Sequence, residues 1–173
     1  MLPSALCLLP SLLSSLIPFK MLFRLIWIGK TRNEHLRALV DDYLGRLRRF
    51  VACEVTELRE SAARGASEGI EDEGKRIISG LRSNALVVLL DVEGRERSST
   101  ELAGEIEKWQ NGGRKEVAFI IGGHRGVSKA VASRADLHWS LSRLTLTHEM
   151  ARVVLAEQLY RAYTIIHGLP YQK

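Results

Sequence analysis

Ala85–Asp91 reads ALVVLLD, and Glu116–Gly126 reads EVAFIIGGHRG. The first stretch is an unbroken apolar run closed by an acid. The second carries another such run, Glu116–Ile121, straight into a pair of glycines. A strand with one wet face alternates apolar and polar residues. A strand covered on both faces does not, and continuous runs of this length are typical of a parallel sheet packed between helices.

The segments on either side fit that reading. Phe23–Gly29, FRLIWIG, is a short apolar run ending in Gly, and Ala52–Leu58 is a weaker strand. Between them Arg32–Phe50 repeats apolar residues at Leu36, Val40, Tyr43, Leu44 and Leu47, which is helical spacing. Arg46, Arg48 and Arg49 suit its C-terminal end. Glu60–Ser67 is small and polar and reads as loop. Gly69–Leu81 is expected to be helical. Ser98 and Glu101 stand at capping-box spacing, so a helix should start there and stop at Gly112–Gly113. Ser128–Ala135 is predicted as a short helix and Asp136–Leu141 as a short strand. Thr147–Ile166 is a long helix ended by Gly168, with Pro170 beyond. Strands alternating with helices give an α/β fold with a mostly parallel sheet.

The chain has 173 residues, 46% of them hydrophobic and 26% charged, which is the balance of an ordinary folded domain. Aromatics are 6%, too few for a sheet surface that stacks many bases. Two cysteines, Cys7 and Cys53, cannot build a disulfide framework or a zinc site alone. Residues 1–19 contain no charge, and Lys20 follows. A signal peptide would want a basic start and a small-residue cleavage site. A membrane anchor would not be broken by Pro3, Pro10 and Pro18. A start codon placed too far upstream of Met21 is the favoured reading of this apolar extension, and a loosely packed tail is the plain one. One domain over 21–173 is then expected, and removal of residues 1–20 should leave its activity intact. The net charge of +5 falls to +4 from Met21 onward, because Lys20 is the only charged residue before it.

In open α/β sheets ligands bind beyond the carboxyl ends of the strands. Three such ends carry suitable groups. Leu90–Asp91–Val92 offers a carboxylate. Gly122–Gly123 lets a ligand approach the backbone. Ser142–Thr147 is a polar loop running into the free N–H groups of the long helix. Each has a simpler reading too: Asp91 as a strand terminator, GGHRG as a tight turn. No GxGxxG follows a strand and no GxxxxGK[ST] occurs, which excludes the dinucleotide and P-loop fingerprints. No Ser/His/Asp or Cys/His motif is visible. His138 is expected to be a partly buried strand residue. His148 falls in the first turn of the long helix, where the dipole disfavours a cation, so it should be neutral near pH 7. Arg161 follows Glu157 by four residues, and an ion pair within the helix accounts for both.

Two segments, FIIGGHRGVS (119–128) and HWSLSRLTLTHEMARVVLAEQLYRAYTIIHGLPYQK (138–173), closely resemble the RlmH family. These are pseudouridine methyltransferases of large-subunit (23S) rRNA in the SPOUT superfamily. The likeness extends over 21–173 through LIWIGKT, DEGKRI and LVVLLDVEG. The resemblance implies a SPOUT-type α/β knot, with helices on both faces of the sheet and the C-terminal part threaded as a trefoil. It implies S-adenosylmethionine as methyl donor, no metal, and a homodimer with each site built at the interface. The family's methyl-donor contacts fall on Leu90, Gly122, Ser142, Arg143, Leu144, Thr145, Leu146 and Thr147, with Asp91 and Gly123 adjacent. The target nitrogen, N3 of pseudouridine, is a weakly acidic imide whose developing anion a cation would stabilise. Arg152 and Arg161 are the candidates, and Tyr171 in the tail is the candidate to orient the base. Gln172 stands where the family usually has histidine, and His124 where proline is common.

The resemblance also implies action on the assembled ribosome, hence a cytoplasmic protein without a membrane. A surplus of positive charge suits a phosphate-rich partner. Two rival readings are a SPOUT methyltransferase acting on tRNA, which would usually carry an extra RNA-binding domain, and a non-catalytic S-adenosylmethionine-binding module.

Overall fold

The computed structural model describes residues 21–171. The extension 1–20, Gln172 and Lys173 lie outside the described residues. Strand and helix alternate throughout: β1 (Leu22–Ile28), α1 (Glu34–Leu47), β2 (Ala52–Leu58), α2 (Ala66–Gly80), β3 (Leu86–Glu96), α3 (Ser99–Asn111), β4 (Glu116–Ile121), α4 (Lys129–Arg134), β5 (Leu137–Ser140) and α5 (His148–Ile166). All strands pair in parallel, in the order β2-β1-β4-β3-β5.

The apolar runs now have a physical explanation. β4 sits in the middle of the sheet, and each of its six residues is buried. On one face Phe23, Leu25, Trp27, Val88, Val117 and Phe119 share a core with residues of α1, α3 and α5, such as Leu44, Ile106 and Leu159. On the other face Ile26, Ile28, Val87, Leu89, Ala118 and Ile120 pack with Ile77 of α2 and Val131 of α4. Adjacent residues along one strand therefore feed opposite cores.

The helix starts are capped as their side chains dictate. Asn33, Ser98, Ser128 and Thr147 each accept a backbone N–H from the first turn. Ser98 and Glu101 form the expected reciprocal box. Gly168, at φ +63°, takes the left-handed conformation that follows the end of α5.

One boundary differs from the sequence reading. β3 was expected to end at Asp91 and instead runs to Glu96. Its pairing with β5 shifts register, with Leu90 and Arg95 both opposite Trp139. The four residues between them, Asp91–Gly94, bulge out of the ladder. Gly94 makes this possible: a Cβ there would lie 2.7 Å from the backbone carbon of His138. Asp91 and Val92, both in the bulge, line the cavity described below.

Candidate active site

Beyond the carboxyl ends of β3, β4 and β5 lies a cavity of about 610 Å³. Its position follows the rule for parallel sheets, and its size falls within the usual range for small-molecule sites. Three loops and Trp139 form its walls: Leu89–Val92, the turn after β4, and the stretch from Leu141 into the first turn of α5. Leu90, Asp91, Gly122, Gly123, Ser142, Leu144, Thr145, Leu146 and Thr147 all line it. Arg143 does not. It pairs instead with Glu96 at 3.4 Å.

The GGHRG turn is both things the sequence allowed. It closes tightly, with the Gly126 N–H donating to the Gly123 carbonyl at 3.0 Å, and it forms a cavity wall. Gly122 has no room for a side chain: a Cβ would meet Val127 Cγ1 at 2.7 Å and the Gly126 carbonyl oxygen at 3.1 Å. Backbone groups at the end of β4 therefore reach the cavity directly. Such a wall of backbone and apolar side chains suits the adenosine of S-adenosylmethionine, which needs close approach and hydrogen bonds to main-chain groups.

Three ionisable residues line the cavity: Asp91, His124 and His148. Asp91 is engaged at both oxygens. One accepts the Glu93 N–H at 3.1 Å, and the other meets His138 Nδ1 at 3.3 Å. His138 is thus the part-buried strand residue the sequence suggested, and its Nε2 lies 3.3 Å from the Ala132 carbonyl. His124 Nε2 accepts from Arg125 Nε at 3.1 Å. The His148 imidazole is pushed below its ordinary value, first by burial and then by the nearby Arg152 charge. The sequence reading had the direction right, but it invoked the helix dipole where burial is the larger cause.

Beneath the cavity, α5 is clamped to the end of β1. Arg152 is fully buried. It donates to Thr31 Oγ1 at 2.8 Å and to the Ile28 carbonyl at 2.7 Å, and its guanidinium lies 5.1 Å from the Trp27 ring centre. Burial lowers its pKa. One turn earlier, the Glu149 carboxylate accepts the Arg32 and Asn33 N–H groups at 2.8 and 3.1 Å, which lowers its pKa. Arg152 does not line the cavity.

Arg161 and Tyr171 sit elsewhere. Arg161 lies thirteen helical steps beyond His148, about 20 Å at the α-helical rise. Arg161 is paired with Glu157 as the spacing predicted, with Nε donating at 2.9 Å. That bond is the main reason its pKa is raised. The guanidinium lies 4.7 Å from the centre of the Tyr171 ring. The Tyr171 hydroxyl donates to the same Glu157 oxygen at 3.2 Å and lies 3.5 Å from the Tyr43 hydroxyl. Burial, together with these neighbours, raises the Tyr171 pKa. The structure thus joins Arg161 to Tyr171 and separates both from the cavity of their own chain.

The sequence reading missed several parts. Val127, Trp139 and Leu141 form apolar walls, but in sequence they look like any core residue. Tyr43 and Tyr160 frame Tyr171, with the Tyr160 and Tyr171 ring centres 4.8 Å apart. No local spacing links α1 to the tail. His148 was visible at the helix start but was read there only for its charge.

Comparisons with known proteins show the family. A family model described as "Predicted SPOUT methyltransferase" matches residues 21–172. A protein of Geotalea uraniireducens named "Ribosomal RNA large subunit methyltransferase H" is 44% identical over 151 residues, covering 87% of this chain and 99% of its own. Proteins of the same name from Geotalea daltonii and Desulfotalea psychrophila are 41% and 40% identical, covering 99% and 97% of their own lengths. A solved structure of a probable methylase family protein from Haemophilus influenzae shares the fold at a TM-score of 0.50 and 12% identity, covering 90% of this chain and 71% of that one.

Proposed function

We infer the activity from the family to which the chain belongs, the SPOUT methyltransferases: it is an S-adenosylmethionine-dependent methyltransferase of large-subunit (23S) rRNA. The relatives that carry this name match it along nearly their whole length. Within that activity we propose N3 of a pseudouridine as the target, on the assembled ribosome in the cytoplasm. The domain that acts is residues 21–173, with the family's trefoil threading in its C-terminal part. Among the described residues no helix is long and apolar enough to cross a membrane.

The observation that carries the reading is the convergence on one cavity of nine of the ten residues assigned to the methyl donor. The bound donor supplies an electrophilic methyl carbon. The chain's own part is to hold it by close backbone contact at Gly122, by the apolar walls and by the loop 141–147. Positioning of this kind can supply about 7–11 kcal/mol of a two-substrate barrier. Arg152 acts from below by fixing the start of α5 against β1.

We further propose a homodimer. Leu144, Val92 and Met150 expose 76%, 41% and 39% of their surface beside the cavity. These are apolar groups suited to burial against a second copy. Arg161 and Tyr171 of one copy then act at the cavity of the other, where the Arg161 charge stabilises the imide anion and Tyr171 orients the base. The test is radiolabelled methyl transfer to ribosomes that lack the modification, beside ribosomes that also lack the pseudouridine. Transfer to the first set alone is expected. Transfer to both sets, or to tRNA instead, would overturn the proposed target.

A further inference from the structure

We propose that His148 is the base that removes the imide proton, an inference that rests on the reading above. The methyl acceptor carries an N–H bond that must be lost. Of the three ionisable residues on the cavity wall, Asp91 is held at both oxygens, and the lone pair of His124 Nε2 already accepts from Arg125. His148 makes no hydrogen bond through either ring nitrogen within the described residues. It is a neutral imidazole on the cavity wall whose unprotonated nitrogen is uncommitted.

The surroundings keep it so. Arg152 lies one turn along α5 from His148 and is locked by Thr31 and Ile28. Its charge disfavours imidazolium, and His124 faces the same ring from the turn after β4. Glu149 on α5 and Glu60 from the β2–α2 loop act the other way, and burial outweighs them. Glu149 is moreover tied to the backbone at Arg32 and Asn33. His148 therefore stays unprotonated to lower pH than a free imidazole.

The step balances. The N3 proton moves to the free ring nitrogen of His148. The N–H electron pair becomes the new N–CH3 bond, and the C–S pair stays on sulfur as S-adenosylhomocysteine leaves. Imidazolium then returns its proton to water.

Two measurements test this. In the wild-type protein with S-adenosylmethionine bound, the histidine ring signals are titrated by NMR, and single-turnover methyl transfer to unmodified ribosomes is measured against pH. The acid limb of the rate should coincide with the His148 titration, below the free-imidazole value of about 6.5. In His148→Gln, S-adenosylmethionine affinity should hold while the rate falls roughly 10²–10⁴-fold, the usual contribution of general base catalysis. The acid limb should vanish and the residual rate should climb with pH, as the imide ionises unaided. A limb more than one pH unit from the His148 titration overturns the assignment even if the variant does not fold. So does a variant with wild-type rate and profile, or one that loses S-adenosylmethionine affinity instead. A wild-type protein that binds S-adenosylmethionine but transfers no methyl group to ribosomes overturns the functional reading, and this inference with it.

Discussion

The two ends of α5 are built on different principles. At its start, the cavity is made of glycine backbone, apolar walls and a neutral histidine, with Arg152 buried in the same helix one turn on. At its far end, Glu157, Arg161, Tyr171 and Tyr43 form a charged and hydrogen-bonded cluster. The first suits a ligand recognised by close contact and shape. The second suits an anion that forms during reaction. One rigid helix holds them about 20 Å apart, too far to serve one reaction centre within a single chain. The separation is what makes a second copy necessary to the account.

The sharpest way to break this contrast is at the far end. Arg161→Ala should lower turnover by roughly 10²–10³-fold, the cost of deleting one group that stabilises developing negative charge. S-adenosylmethionine affinity, measured by calorimetry, should stay within a few-fold of wild type. A collapse of that affinity would place Arg161 with the cavity and erase the division of labour.

Arg152→Leu tests the clamp between the two ends. It leaves the Ile28 carbonyl and Thr31 without their buried donor, so stability in urea should fall by about 1–3 kcal/mol for each group left unpaired. A change below 1 kcal/mol would show that the buried contacts contribute little. Gly122→Val should weaken S-adenosylmethionine at least tenfold, because the branched side chain runs into Val127 and Gly126, while urea stability changes less than in Arg152→Leu.

The smallest effects come from the caps. Thr147→Ala and Ser98→Ala should each cost about 1 kcal/mol of stability, the usual value for a lost N-cap. Only Thr147, on the cavity wall, should also weaken S-adenosylmethionine. Equal binding losses in both variants would mean that helix fraying, not the cavity, sets affinity.

Much of the fold was legible because its strands are buried on both faces, and ALVVLLD and EVAFII record that directly. The cap at Ser98 was legible because hydrogen bonding at a helix start is local. The strand order was not, since pairing β4 between β1 and β3 depends on contacts far apart in sequence. The bulge after Leu90 also escaped, because the fit of Gly94 against His138 is a tertiary fact. In the site, strand ends and glycines marked the cavity. The burial of Arg152 was not legible, because its partners at Ile28 and Thr31 lie more than a hundred residues away in sequence. Nothing in the spacing of Tyr171 announces Tyr43.

The most direct test of the central claim mixes Gly122→Val with Arg161→Ala at a low S-adenosylmethionine concentration, at which each variant alone transfers almost no methyl. If each site takes its cavity from one copy and its Arg161 from the other, random exchange makes half the dimers mixed. Each mixed dimer has one intact site, so methyl transfer to ribosomes should return to about a quarter of wild type. No recovery, with subunit exchange shown by mass spectrometry, would contradict the account, since both ends of α5 would then act within one chain.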